Sequence, residues 1–151
     1  MDEDFGLDKG PQRAHGGAET PGHVSVLLKQ AIDFLAVRRG GTFIDATLGS
    51  GGHSLEIARR LGPQGHLIGF DKDPQALEAA RRRLAGMAQA ENGWPVITLL
   101  QGSYAELGER IPAATADGLL ADLGMSSLQL RDAARGFSFQ AEGPLDMRMD
   151  P

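Results

Sequence analysis

The stretch Gly41-Thr42-Phe43-Ile44-Asp45-Ala46-Thr47-Leu48-Gly49-Ser50-Gly51-Gly52-His53-Ser54 constrains this chain more than any other. Thr42 to Ala46 is an apolar, β-prone run that closes around an acidic residue, Asp45. Gly49, Gly51 and Gly52 follow, and then a helix-like run from Leu55 to Leu61. A strand that turns through glycines into a helix opens a nucleotide-binding α/β domain. Glycine serves at such a turn because a ligand must touch backbone where a Cβ would block it. The N–H groups that start the helix then face the ligand.

The same stretch argues against a dinucleotide. The dinucleotide fingerprint is G-x-G-x-x-G, and its sixth position here is Ser54. The Asp45 carboxylate suits a cation better than a pyrophosphate. Acid-x-x-x-Gly-x-Gly-Gly resembles the first motif of the class I S-adenosylmethionine-dependent methyltransferases, whose cofactor carries an ammonium and a sulfonium.

At 151 residues the chain has a one-domain length. Its apolar share of 41% and charged share of 23% are those of a soluble globular protein. It has no apolar run long enough for a membrane span. The acidic start, Met1-Asp2-Glu3-Asp4, is not a secretory signal. There are no cysteines, which excludes disulfides and thiolate metal sites and fits a reducing cytoplasm. The four histidines (His15, His23, His53, His66) lack metal-ligand spacing, so no metal is expected. The net charge of −5 does not advertise a nucleic-acid surface.

Residues 1–21 lack an apolar period and read as a disordered tail, and 22–151 as the folded part. Val24, Leu27, Leu28, Ala31, Ile32 and Leu35 recur at helical steps. Strands are expected at about 42–47, 66–71, 96–100 and 118–123. Helices are expected at 53–61, from Pro74 behind an Asp73 cap, and at 104–110. The face Ala76, Leu77, Ala80, Leu84 and Met87 should be buried, Trp94 should anchor packing, and Arg81-Arg82-Arg83 should be a solvated face. Strands alternating with helices imply a parallel, doubly wound sheet with its ligand outside the carboxyl ends of the strands.

Those ends carry Asp45, Asp71, Gly102-Ser103 and Asp122. Asp71, at the end of the second strand, is placed to accept both ribose hydroxyls of an adenosine group. Tyr104 is a candidate to lie against the adenine, or a packing residue. Asp122 and the polar stretch after it stand where an acceptor would enter. Phe137 and Phe139 flank Ser138, a pattern that either sandwiches a flipped base or pins a loop to the core.

Six segments in order then identify a family: His23-Val24-Ser25-Val26-Leu27-Leu28, Gly49-Ser50-Gly51-Gly52-His53-Ser54, Asp71-Lys72-Asp73-Pro74, Asp122-Leu123-Gly124-Met125-Ser126-Ser127-Leu128-Gln129-Leu130, Arg135-Gly136-Phe137-Ser138-Phe139 and Pro144-Leu145-Asp146-Met147-Arg148-Met149-Asp150. Together they resemble the RsmH (MraW) family over residues 23–151. That family transfers a methyl group from S-adenosylmethionine to N4 of a cytidine in the 16S ribosomal RNA of the small subunit. The resemblance implies that Gly51, Gly52 and His53 hold the methionine part of the cofactor, Asp71 the ribose and Tyr104 the adenine side. Asp122 and Gln129 would complete the pocket. Two positions depart from the family: Tyr104 stands for its Phe, and Leu128 for the Pro of its Ser-Ser-Pro-Gln.

Members of the family run to about twice this length and add further strands and a helical domain inserted for the substrate. The resemblance therefore implies a class I (Rossmann-like) methyltransferase domain truncated after its fourth strand, with that strand left as an unpaired edge. Such a fragment is expected to be inactive by itself. Asp122, or a backbone carbonyl after it, is the candidate to accept a hydrogen bond from the cytosine amine, with Ser126 and Ser127 orienting the base. The rival readings are a non-catalytic product that binds cofactor or RNA, and a nicotinamide-dependent oxidoreductase on the same fold.

Overall fold

The computed structural model describes residues 27–140 and 142–150; the expected tail at 1–21 and the His23–Val26 part of the first motif lie outside them. Eight-residue α1 (Leu28–Leu35) leads to β1 (Thr42–Asp45) and α2 (Gly52–Leu61). Next come β2 (His66–Asp71), α3 (Pro74–Ala90) and β3 (Val96–Gln101). A 3₁₀ turn at Tyr104–Glu106 runs into α4 (Leu107–Arg110), followed by β4 (Gly118–Leu120). A short α5 (Ser127–Arg131) and a 3₁₀ turn at Ala133–Arg135 precede the final segment. No helix among the described residues is long and apolar enough to cross a membrane.

The sheet is parallel throughout, in the order β3-β2-β1-β4. Phe43 stands opposite Leu67 on one side and Gly118 on the other, and His66 opposite Val96. Side chains alternate between the two faces of a strand. Phe43, Leu67 and Leu120 pack with Ile32 of α1 and with Ile57, Ala58 and Leu61 of α2, and Trp94 joins that cluster as expected. Leu48 packs with Leu77 and Ala80 of α3, against Leu99. Ile44, Ile68 and Phe70 form the other cluster, covered by Leu107, Ile111 and Ala116. Helices on both faces make this the doubly wound arrangement that the alternation predicts.

Several boundaries differ from expectation for identifiable reasons. The last ladder bond beside β1 runs from Ala46 N–H to the Leu120 carbonyl. Beyond it, the Asp122 N–H bonds the Thr47 hydroxyl at 2.7 Å, so β4 ends at Leu120 and not at 123. Leu27, expected on the apolar face of α1, precedes that helix in a left-handed conformation and is exposed. The 104–110 helix begins as a 3₁₀ turn, at whose start Ser103 and Glu106 form a reciprocal capping box. In α3 the expected face is found, with Ala76, Leu77, Ala80 and Leu84 buried and Met87 half-buried behind the Asp73 cap. Arg81 and Arg82 are solvated and pair with Glu78. Among the described residues β4 pairs on one side alone, as expected of an edge, and Leu119 is half-exposed.

Where the chain leaves β1 for α2, Gly51 has φ +78° and lies against α3, so that an added Cβ would sit 3.2 Å from the Ala80 Cβ. The left-handed conformation costs a residue with a Cβ about 1–2 kcal/mol. Gly51→Ala should therefore lower the thermal midpoint by several degrees, whereas Gly86→Ala, at an exposed α3 position with open space around it, should not. A thermal melt followed by circular dichroism checks this.

Candidate functional site

The four strand ends converge on one edge of the sheet, and the loop from Asp45 to Gly51 lies at its centre. Asp45 is fully buried. Its Oδ2 accepts the Ser54 hydroxyl at 2.7 Å and its Oδ1 the Thr47 N–H at 3.2 Å. Burial pushes its carboxyl above the ordinary value, against those two hydrogen bonds. Asp45 thus does not present its charge to a ligand, as the sequence suggested. It faces inward and ties the end of β1 to the first turn of α2.

Asp71 is held from two sides. Its Oδ2 accepts the Gly49 N–H at 2.8 Å and its Oδ1 the Asp73 N–H at 2.9 Å. Burial raises its carboxyl pKa, opposed by those backbone donors. Unlike Asp45 it stays partly exposed, and a carboxylate has about four acceptor positions. Two remain for incoming hydroxyls. A Cβ added at Gly49 would meet nothing nearer than the Thr47 carbonyl at 4.0 Å, so the loop is open beside this carboxylate.

His53 is buried in the first turn of α2, with Nδ1 3.8 Å from Oδ2 of the half-exposed Asp122. The bond from the Asp122 N–H to Thr47 fixes this approach. Gly52 is the first residue of α2, and Gly51 is spent on packing against α3. Tyr104 opens the 3₁₀ turn after β3 with half its surface exposed. Beside it lies an open groove of about 400 Å3 lined by Lys72, Gln101, Gly102, Ser103, Glu106 and Asp150.

The residues expected on the acceptor side are organised by a feature that the motifs alone do not show. Ser126 Oγ accepts the Gln129 N–H at 3.2 Å, and Gln129 Oε1 accepts the Ser126 N–H at 2.9 Å. This is a capping box at the start of α5, and its S-x-x-Q pattern is legible in the sequence. Gln129 is buried, and its Nε2 donates to Asp73 Oδ2 at 3.4 Å. Its amide therefore holds the α5 segment against α3 instead of standing open in the pocket. Ser127 is the first residue of α5, and its side chain lies outside the described part. Phe137 is 3% exposed and Phe139 fully exposed, so the pair neither sandwiches a base nor pins the loop at both ends.

A parallel sheet with a glycine loop after β1, a carboxylate closing β2 and an acidic residue just past β4 defines a class I methyltransferase domain. Solved structures agree: TrmN from Thermus thermophilus superposes with a TM-score of 0.56 at 26% identity, over 65% of this chain and 27% of that one. The chain belongs to the MraW methylase family, whose sequence profile it matches over residues 20–151. It is 62% identical to the ribosomal RNA small subunit methyltransferase H of Koribacter versatilis, over 95% of this chain and 46% of that protein. The protein of the same name from Acidobacterium capsulatum is 55% identical over 85% of this chain and 44% of its own length. The chain thus spans about half the length of the curated relatives it matches. Membership in a methylase family disfavours the oxidoreductase reading.

The Ser126–Gln129 box has a direct test. Removing a capping hydroxyl costs about 1 kcal/mol. Ser126→Ala should accelerate amide exchange in residues 127–131 while leaving the β1 and β2 amides protected, as read by hydrogen-exchange mass spectrometry.

Proposed function

We propose that the protein uses S-adenosylmethionine to methylate N4 of a cytidine in the 16S ribosomal RNA of the small subunit, in the cytoplasm. The observation that carries this reading is the open Gly49 loop beside the half-satisfied Asp71 carboxylate, with the His53–Asp122 pair past the end of β4. The donor set fits the cofactor. The two acidic side chains left accessible past the strand ends, Asp71 and Asp122, match a cationic ligand with a ribose diol, and they oppose a pyrophosphate. The choice of ribosomal RNA follows the names of the relatives, and the choice of N4 follows the motifs from Asp122 to Asp150.

The cofactor supplies a methyl group activated on a sulfonium. The chain's own residues bind and orient. Asp71 takes the ribose hydroxyls in its two remaining acceptor positions, and Tyr104 covers the adenine side. Gly51, Gly52 and His53 shape the methionine end, and Gln129 fixes the segment that closes the pocket. The cytosine amine is a weak nucleophile because its lone pair is delocalised into the ring. Asp122 accepts a hydrogen bond from that amine as positive charge develops. Ser126 keeps its own proton to donate after accepting the cap bond, and with Ser127 it orients the base. Alignment of two partners for in-line displacement is worth roughly 7–11 kcal/mol, so these positioning roles carry much of the catalysis.

Two predictions test this reading. By calorimetry the 151-residue chain should bind S-adenosylhomocysteine, and Asp71→Ala should weaken binding by about 1–3 kcal/mol. Hydroxyl donors favour the carboxylate over the acid, so ligand binding lowers the raised pKa of Asp71. Linkage then requires affinity to fall as pH drops through the pKa of the free protein, and Asp71→Asn should flatten that dependence. Tighter binding of NAD than of S-adenosylhomocysteine would overturn the reading.

The second prediction concerns transfer. A chain lengthened to the size of its relatives, given labelled cofactor and unmodified small subunits, should yield N4-methylcytidine by nucleoside mass spectrometry. Asp122→Ala should abolish it. Subunit binding should fall steeply with salt, because phosphate contacts dominate RNA affinity. Label on a cytosine ring carbon, or in protein, would refute the assignment.

A further inference from the structure

Arg135 is the one buried Arg or Lys among the described residues, and the methyl-transfer reading does not use it. Its Nη1 lies 2.9 Å from Asp73 Oδ2. Its Nη2 donates to the carbonyls of Met149 at 3.1 Å and Arg148 at 3.4 Å. The same Asp73 donates its backbone N–H to Asp71 Oδ1 at 2.9 Å, and Asp71 Oδ2 in turn holds the Gly49 N–H at 2.8 Å. A continuous set of hydrogen bonds and one ion pair therefore runs from the final segment, through Asp73, to the glycine loop. Asp150, one residue past Met149, forms a wall of the groove at Gln101, Gly102 and Ser103.

Two features argue that this arrangement sets position. Arg135 Nε is buried without a hydrogen-bond partner among the described residues, and a buried ion pair with an unmet donor is a poor source of stability. The guanidinium fork is also used on two different targets at once, a carboxylate and a pair of carbonyls, which a point charge cannot reproduce. The segment it grips is shaped in advance. Asp146 pairs with Arg148, whose guanidinium holds the Asp146 carboxyl down at about 2. Gly136 (φ +73°) has the carbonyls of Pro144 and Asp146 packed where a Cβ would be.

We propose that Arg135 is a positioning residue: its grip on the carbonyls of Arg148 and Met149 sets Asp150 at the wall of the groove beside Tyr104, where the adenosine part would lie, and through Asp73 it fixes the Asp71 carboxylate. Seating of this segment and binding of the adenosine part are then one linked equilibrium. The inference rests on the cofactor reading above. Linkage is reciprocal: if the seated segment favours the ligand, the ligand must favour the seated segment by the same factor.

The test uses the 151-residue chain with S-adenosylhomocysteine as probe, well below the thermal midpoint of each variant. Affinity is measured by calorimetry, and amide exchange of residues 144–150 is followed with and without ligand. In the unaltered protein the ligand should protect these amides. Arg135→Met should weaken binding about tenfold, within the usual range of coupling between sites, and abolish that protection. Arg135→Lys, which keeps the charge but loses the fork, should recover thermal stability without recovering affinity. Asp73→Asn and Arg135→Met together should weaken binding by less than the sum of the two separate effects, because both remove the Arg135–Asp73 pair, while Asp73 also loses part of its contact to the Gln129 amide. If Arg135→Met does not fold, Arg135→Lys decides by the same measurements. Unaltered affinity and unaltered ligand-dependent protection in a folded variant overturn the proposal alone. Absence of binding in the unaltered protein overturns the cofactor reading and this proposal together.

Discussion

A carboxylate removed from water is unfavourable unless its oxygens are hydrogen-bonded, and Asp45 meets that condition with the Ser54 hydroxyl and the Thr47 N–H. The site depends on this small arrangement. By joining the last residue of β1 to the first turn of α2, it fixes the path of the glycine loop between them. The loop then delivers two groups outward. The Gly49 N–H goes to Asp71 at the end of β2, and the Thr47 hydroxyl to the Asp122 N–H past β4. Three strand ends are registered against one another by a carboxylate fully buried from solvent.

On the proposed function the site divides into a cofactor half, built by β1, β2 and the glycine loop, and an acceptor half, built by β4, α5 and the segment after it. Two seams join them. One is the Thr47–Asp122 bond, with His53 facing Asp122 across it. The other is the buried group of Asp73, Gln129 and Arg135. The acceptor half has much exposed apolar surface, including Leu123, Met125, Phe139, Leu145 and Met147. Its order therefore comes from polar contacts at the seams more than from a core of its own.

Much of the fold was legible because buried parallel strands are apolar runs, and each such run here closes in a polar residue. Thr42–Asp45, His66–Asp71 and Val96–Gln101 were readable in this way, as was the Asp73-Pro74 helix start. The fate of individual polar groups was less legible. Asp45 and Asp71 occupy equivalent strand ends, yet one is turned inward and the other outward. That difference is set by Ser54 nine residues on, which sequence position alone does not reveal. Phe137 and Phe139 look equivalent in the sequence, but Phe137, directly after the left-handed Gly136, is buried and Phe139 lies in solvent. The Ser126–Gln129 box is visible as an S-x-x-Q pattern, and the same residue types also suit a polar site, so the pattern alone does not separate the two roles. The Arg135–Asp73 pair had no local signal, because its partners meet only after the sheet has formed.

The three-residue strand β4 bears on how the molecule assembles. Its pairing with β1 is secured by Asp117, whose Oδ2 accepts the Thr42 N–H across 75 residues of chain. The β1–β2 and β2–β3 pairings span far shorter intervals around α2 and α3. The entropy of closing a loop rises with its length and is lost before the contacts that compensate it have formed. The β1–β2–β3 unit can therefore nucleate early, with the glycine loop and Asp71 already in register. Asp122 and the described residues beyond it depend on the longest of the three closures, so their registration against the glycine loop carries the largest entropy cost in the sheet.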